Sequence, residues 1–155
     1  MQVFGLIIAA LIVVADQWLK FYVSHNFQIG EVHEAFPGLF SLTYIKNSGA
    51  AWNILTGQMW FFYLISIVAL AVVLYFYFNK KYNHWMLKLG LAFVLGGIIG
   101  NLIDRLHLKY VIDMIQLDFV NFNIFNIADS AITVGVILIF AYLLFIERDF
   151  DDNTK

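Results

Sequence analysis

Two aspartates in this chain stand where a carboxylate is costly. Asp113 interrupts the apolar run "YVIDMIQ" (110–116), with no basic residue adjoining it, and Asp129 sits at the lip of "FNIADSAITVGVILIF" (125–140). Two carboxylates brought close cannot both ionise easily, so one pKa rises and the pair holds a single proton. Such a dyad activates water. Its charged member takes a proton from the water, and its neutral member polarises or protonates an amide. Asp129 also admits a purely structural role: with Asn126 as N-cap it falls at the third helical position, where a side chain reaches back to unpaired amides.

Rival chemistries find little support. Cysteine is absent, which removes disulfides, thiolate metal sites and a cysteine nucleophile together. His25, His33, His84 and His107 are scattered and no H-E-x-x-H occurs, so no metal site is expected. No G-x-S-x-G is present, and nothing marks Ser48, near Lys46, as activated. By exclusion, an aspartyl dyad without cofactor is the most economical peptidase reading.

Other polar residues have spacings that matter. Asp16 and Lys20 are four apart, on one face of a helix. They form either a self-neutralising pair that keeps a polar helix end in the membrane or part of a site. In "GGIIGNLIDR" (96–105), Gly96 and Gly100 make a GxxxG that allows close helix approach. Asn101, Asp104 and Arg105 follow on one face, as a packing face capped by an Asp–Arg pair or as a scaffold that fixes carboxylates. In "KNSGAAW" (46–52), Asn47 and Gly49 suit a turn.

The elements that must position these side chains follow from composition. Hydrophobic residues make up 62 % of the 155 and charged residues 13 %, about half the share usual in soluble domains. With a mean hydropathy of +0.80, the chain needs lipid as its solvent. A span takes about 20 apolar residues, and four stretches qualify: 3–23, 58–78, 85–103 and 128–147. The first lacks a basic leader and a small-residue cleavage site, so it reads as a retained helix rather than a secretion signal. We expect one membrane domain over 1–155, an all-α four-helix bundle with a small extracytoplasmic β-rich cradle.

The connections divide the charges unevenly. Lys80, Lys81 and Lys88 cluster around the link 79–84, which suggests that it and both termini are cytoplasmic. Asp16, Glu31, Glu34, Asp104, Asp113, Asp118 and Asp129 all fall at or beyond the other end. In the segment 24–57, "LFSLTYIK" (39–46) reads as a strand and "QIGEVHE" (28–34) as a weaker one. In the outer loop 104–127, "VNFNIF" (120–125) alternates more cleanly and is expected to be a strand. A net charge of −2 without a basic run argues against nucleic acid as a partner.

The motifs "DQWLK" (16–20), "NSGAAW" (47–52), "GNLIDR" (100–105), "VIDMI" (111–115) and "FNIADS" (125–130) resemble those of the bacterial lipoprotein signal peptidases, in that family's order. The resemblance implies an aspartyl endopeptidase of the cytoplasmic membrane, acting at its outer face. Its substrate would be a prolipoprotein, cut just before a diacylglyceryl-modified cysteine. It implies Asp113 and Asp129 as the catalytic pair. It further implies that Asp16, Lys20, Asn47, Gly49, Asn101, Asp104, Arg105, Asn126 and Ala128 shape or line the site. The implied fold includes a short amphipathic helix over the membrane surface, and we expect a monomer in contact with membrane lipid. A helix N-terminus favours the charged form of Asp129, leaving Asp113 as proton carrier. Two other readings stay open: a proton- or ion-conducting subunit, which needs polar residues along the full depth of the helices, and a passive assembly protein.

Overall fold

The computed structural model describes residues 2–49 and 55–147. Among them α1 spans Gln2–Asn26, β1 Val32–Phe36, β2 Phe40–Asn47, α2 Met59–Phe78, α3 Trp85–Leu108, β3 Val111–Leu117 and α4 Ile127–Tyr142, which continues as a π-helical turn over Leu143–Glu147. All four α-helices, α4 taken with its continuation to Ile146, are long and apolar enough to cross a membrane. The helix α3 is central: 61 % of its apolar window is buried, against 17 % for α1 and α4 and 22 % for α2. The other three turn large apolar side chains outward, as Phe4, Trp18, Ile67, Tyr75 and Ile137 do.

Glycines let α3 reach its neighbours at backbone distance. A Cβ added at Gly96 would lie 2.9 Å from the Ala9 carbonyl of α1, and one at Gly90 2.8 Å from the Gly135 carbonyl of α4. Gly100 packs directly against a carboxylate, since a Cβ there would sit 2.7 Å from Asp16 Oδ2. The GxxxG is therefore a packing face against α1, and its second glycine also makes room for a carboxylate.

The helix α3 runs on past the apolar stretch to Leu108, so Asp104 and Arg105 are helical. Lys109 then takes a left-handed conformation (φ 66°) at the C-cap and turns the chain directly into β3. β3 pairs with β2, with Ile45 opposite Asp113 and Asn47 opposite Val111, and β2 pairs with β1, all antiparallel. Gly38 (φ 72°) follows Pro37 in the hairpin turn.

The sheet differs from expectation in its third strand. The stretch 120–125 forms no strand; Phe125 alone bridges to Ile115. The third strand is the "VIDMIQL" segment, in which Val111, Ile112, Asp113 and Met114 are all buried. A strand covered on both faces has no apolar–polar alternation to betray it. Of "QIGEVHE", only the last three residues enter β1, while Gly30 (φ 80°) stands in a turn before it. The implied amphipathic helix is not found among the described residues, and the end of "KNSGAAW" (50–52) lies outside them.

Two apolar cores bracket a polar layer. One joins Ala9, Val73, Tyr77, Leu91, Leu95 and Tyr142; the other joins Val23 of α1 to Tyr44, Ile112 and Met114 of the sheet. Along α1, Asp16 and Lys20 fall between them.

Candidate active site

The sequence Asn126-x-x-Asp129 builds a complete capping box at the start of α4. The Asp129 N–H donates to Asn126 Oδ1 (2.9 Å), and the Asn126 N–H donates to Asp129 Oδ2 (3.4 Å). That cap has a second consequence. With its oxygen engaged, the Asn126 amide must turn its NH2 elsewhere, and it donates to Asp113 Oδ1 at 2.7 Å. One residue therefore touches both aspartates. The cap on Asp129 is what brings Asp113 into register with it.

Two more amides behave the same way. Asn47 Oδ1 accepts the Gly49 N–H (2.9 Å), the turn expected from the pair, and its NH2 donates to Asp113 Oδ2 (2.9 Å). Asn101 Oδ1 accepts from Lys20 Nζ (3.1 Å) and Asn126 Nδ2 (3.2 Å), and its NH2 donates to Asp129 Oδ1 (2.7 Å). In each case a group that can only donate holds the amide oxygen, so the orientation of the NH2 follows from the chemistry. All four carboxylate oxygens of Asp113 and Asp129 receive an N–H.

Beneath them lies an ionic cluster. Lys20 Nζ contacts Asp16 Oδ2 (2.8 Å) and Asp104 Oδ2 (2.9 Å), with all three side chains buried. Asp16 Oδ1 accepts the Ala128 N–H (2.9 Å), and Asp104 Oδ2 accepts the Ile112 N–H (3.0 Å). Asp16 and Lys20 thus neutralise each other, as one sequence reading held, and also hold the site. Asp104 pairs across the helix interface with Lys20, and not with Arg105, because adjacent helical residues point apart. The Arg105 guanidinium lies over the Phe62 ring (4.9 Å) and lines the cavity.

Sequence reasoning missed Gln17. Its amide donates to Asp104 Oδ1 (2.9 Å), the Gly100 carbonyl (3.1 Å) and Asp16 Oδ2 (3.2 Å). Its polarity within an apolar span, next to Asp16, was the available signal. Among the described residues no buried side-chain nitrogen or oxygen lacks a partner, which a polar layer at membrane depth requires.

Asp113 and Asp129 line one cavity of about 480 Å³. Asn47, Asn101, Arg105 and Ser130 supply its polar wall, and Leu117, Phe122, Ile124, Phe125 and Val134 an apolar one. Burial raises the Asp113 pKa to about 6; the Asp129 charge adds to the rise, while hydrogen bonds from Asn47 and Asn126 oppose it. Among the described residues no group of three His, Cys, Asp or Glu side chains could hold a metal ion.

The family model described as "Signal peptidase (SPase) II" matches residues 8–145. The chain belongs to the signal peptidase II family. It is 65 % identical over 149 residues to a lipoprotein signal peptidase of Lactobacillus gasseri, covering 96 % of this chain and 97 % of that protein. It is 50 % identical to that of Enterococcus faecalis, covering 92 % and 88 %. Two solved structures described as bacterial membrane enzymes superpose with TM-scores of 0.87 and 0.84, at 38 % and 37 % identity. They cover 91 % and 92 % of this chain, and 87 % and 94 % of their own. With its four apolar helices, the chain is a multi-pass membrane protein of this enzyme family.

Proposed function

We propose that this member of the signal peptidase II family, whose reaction is the removal of signal peptides from prolipoproteins, is an aspartyl endopeptidase with Asp113 and Asp129 as its catalytic pair. The observation that carries the reading is Asn126, hydrogen-bonded to both carboxylates inside one cavity. Asp129, at the N-terminus of α4, is the charged member and takes a proton from water. Asp113, whose pKa burial has raised, donates its proton to the scissile carbonyl as the water oxygen bonds to carbon. Asp129 then passes its proton to the leaving amine, the C–N bond breaks, and Asp113 recovers a proton from the collapsing diol. Asp16, Lys20, Asn47, Gly49, Asn101, Asp104, Arg105, Asn126 and Ala128 shape this site.

The apolar wall from Leu117 to Val134 suits the acyl chains of a diacylglyceryl cysteine, with cleavage just before that residue. Both termini are cytoplasmic and the dyad faces the outer leaflet, consistent with the lysines around 79–84. In this reading the enzyme acts as a monomer. The test is cleavage of a lipidated prolipoprotein peptide by purified Asp113→Asn and Asp129→Asn. Loss of turnover in both folded variants is expected; parental rates in either would sink the assignment.

A further inference from the structure

Lys20 touches neither aspartate of the dyad, yet each of its contacts leads to one of them. Asp16 holds the N–H of Ala128, the residue before Asp129, and Asp104 holds the N–H of Ile112, the residue before Asp113. The ammonium joins these two carboxylates at 2.8 and 2.9 Å. Its third contact fixes the Asn101 amide, whose NH2 meets Asp129. An ammonium has three protons, and three acceptors take them. Lys20 therefore has no proton left to exchange with substrate, and its place in the network is mechanical.

We infer that Lys20 is a positioning residue: by clamping Asp16 to Asp104 it sets the separation of the two backbone segments that carry the dyad, and so how strongly the aspartates share one proton. This rests on the dyad reading above. Removing the clamp leaves two buried carboxylates that repel each other, one tied to α4 and one to β3, with only the neutral Gln17 amide still bridging them, so the segments part. It also frees the Asn101 amide to rotate. The charged and titratable groups around the dyad are Asp16 and Lys20 from α1, Asp104 and Arg105 from α3, Asp113 from β3 and Asp129 from α4; β2 supplies the neutral Asn47.

A lysine that merely kept the fold neutral would make a different prediction. Its loss would lower activity in proportion to the folded fraction and, through the lost positive charge, displace both limbs of the pH profile in the same direction, leaving the interval between them unchanged. Weaker sharing of a proton instead draws the two macroscopic pKa values of a dyad together, so the bell-shaped pH profile narrows.

The experiment measures kcat and KM across pH for the purified full-length enzyme, Lys20→Met and Lys20→Arg, with a lipidated prolipoprotein peptide as substrate. In Lys20→Met, kcat falls about 100-fold, as a displacement near 1 Å can cause, KM stays within about threefold, and the interval between the two limbs shrinks. Lys20→Arg keeps the charge but is longer and planar, and decides the matter if the methionine variant does not fold. Its interval also departs from the parent's. Parental intervals in the folded variants would overturn the inference. Asp113→Asn and Asp129→Asn separate the two failures: if they cleave normally the dyad itself is wrong, whereas if they are dead and the Lys20 variants keep the parental interval, only the clamp falls.

Discussion

Among the described residues the bundle buries two lysines, in opposite surroundings. Lys20 is held by Asp16, Asp104 and Asn101. Lys88, equally buried, donates to the carbonyls of Phe76, Tyr77 and Asn79 at the C-terminus of α2, with the Tyr77 ring 5.4 Å away. Both satisfy the same requirement, that a buried ammonium must find three acceptors. At Lys88 the acceptors belong to a helix end, where unpaired carbonyls and the macrodipole favour a cation. At Lys20 two of them are carboxylates that also hold the N–H groups of Ala128 and Ile112, the residues before Asp129 and Asp113. A buried lysine in a membrane helix is therefore no sign of a site; the acceptors around it decide.

The widest contrast between the two regions should come from neutralising acids. Asp113→Asn and Asp129→Asn at the Lys20 end should each lower kcat by about 10²- to 10⁴-fold, whereas among the described residues Lys88 is held by backbone carbonyls, so no acid there can be neutralised to the same effect. Exchanging the lysines themselves sharpens the comparison. Lys88→Met strands carbonyls of α2 and should lower unfolding stability by about 1–3 kcal/mol, with kcat of the folded enzyme within about twofold of the parent. If Lys88→Met alters the pH profile as Lys20→Met does, the two ends are not independent.

A smaller effect tests the burial of Asp113. Its pKa in the folded protein, about 6, lies above the ordinary aspartate value of 3.8, so between these values the folded state binds more protons than the unfolded one. Stability from this group accordingly falls as pH rises through that window, and the deficit is complete above it. Asp113→Asn removes the deficit. Its stability relative to the parent, followed by denaturation in detergent, should therefore rise across the window and level off above it; a flat difference would mean that Asp113 is not held against ionisation. The smallest effect is at the opposite end. Tyr77→Phe loses the hydroxyl that donates to the Gln2 carbonyl (2.5 Å) and should cost about 1 kcal/mol, leaving turnover unchanged.

Legibility followed the range of the interactions. The capping box at Asn126 and Asp129 could be read directly because its members are three residues apart. The spans were visible because lipid imposes an apolar length. Of the two readings open for Asp104, the pair with Arg105 does not form, because its partner Lys20 sits on another helix, which spacing along α3 cannot show. The β3 strand is hidden because burial on both faces erases its alternation, whereas 120–125 alternates like a strand but pairs only through Phe125, at Ile115. Gln17 escaped notice because its three acceptors are Asp16, the Gly100 carbonyl and Asp104, two of them more than eighty positions away.

The sequence by itself determined that lipid is the solvent, where four helices run, that α4 opens with a capped aspartate, and, through its motifs, the family. Hydropathy and capping act between near neighbours, so one chain suffices to read them. The tertiary structure alone decided that the amide capping α4 also reaches Asp113, that Lys20 links Asp16 to Asp104, and that Arg105 turns to the cavity instead of to Asp104. Those depend on which residues α3 and β3 set beside one another, and a buried polar group takes whichever partner packing brings within about 3 Å.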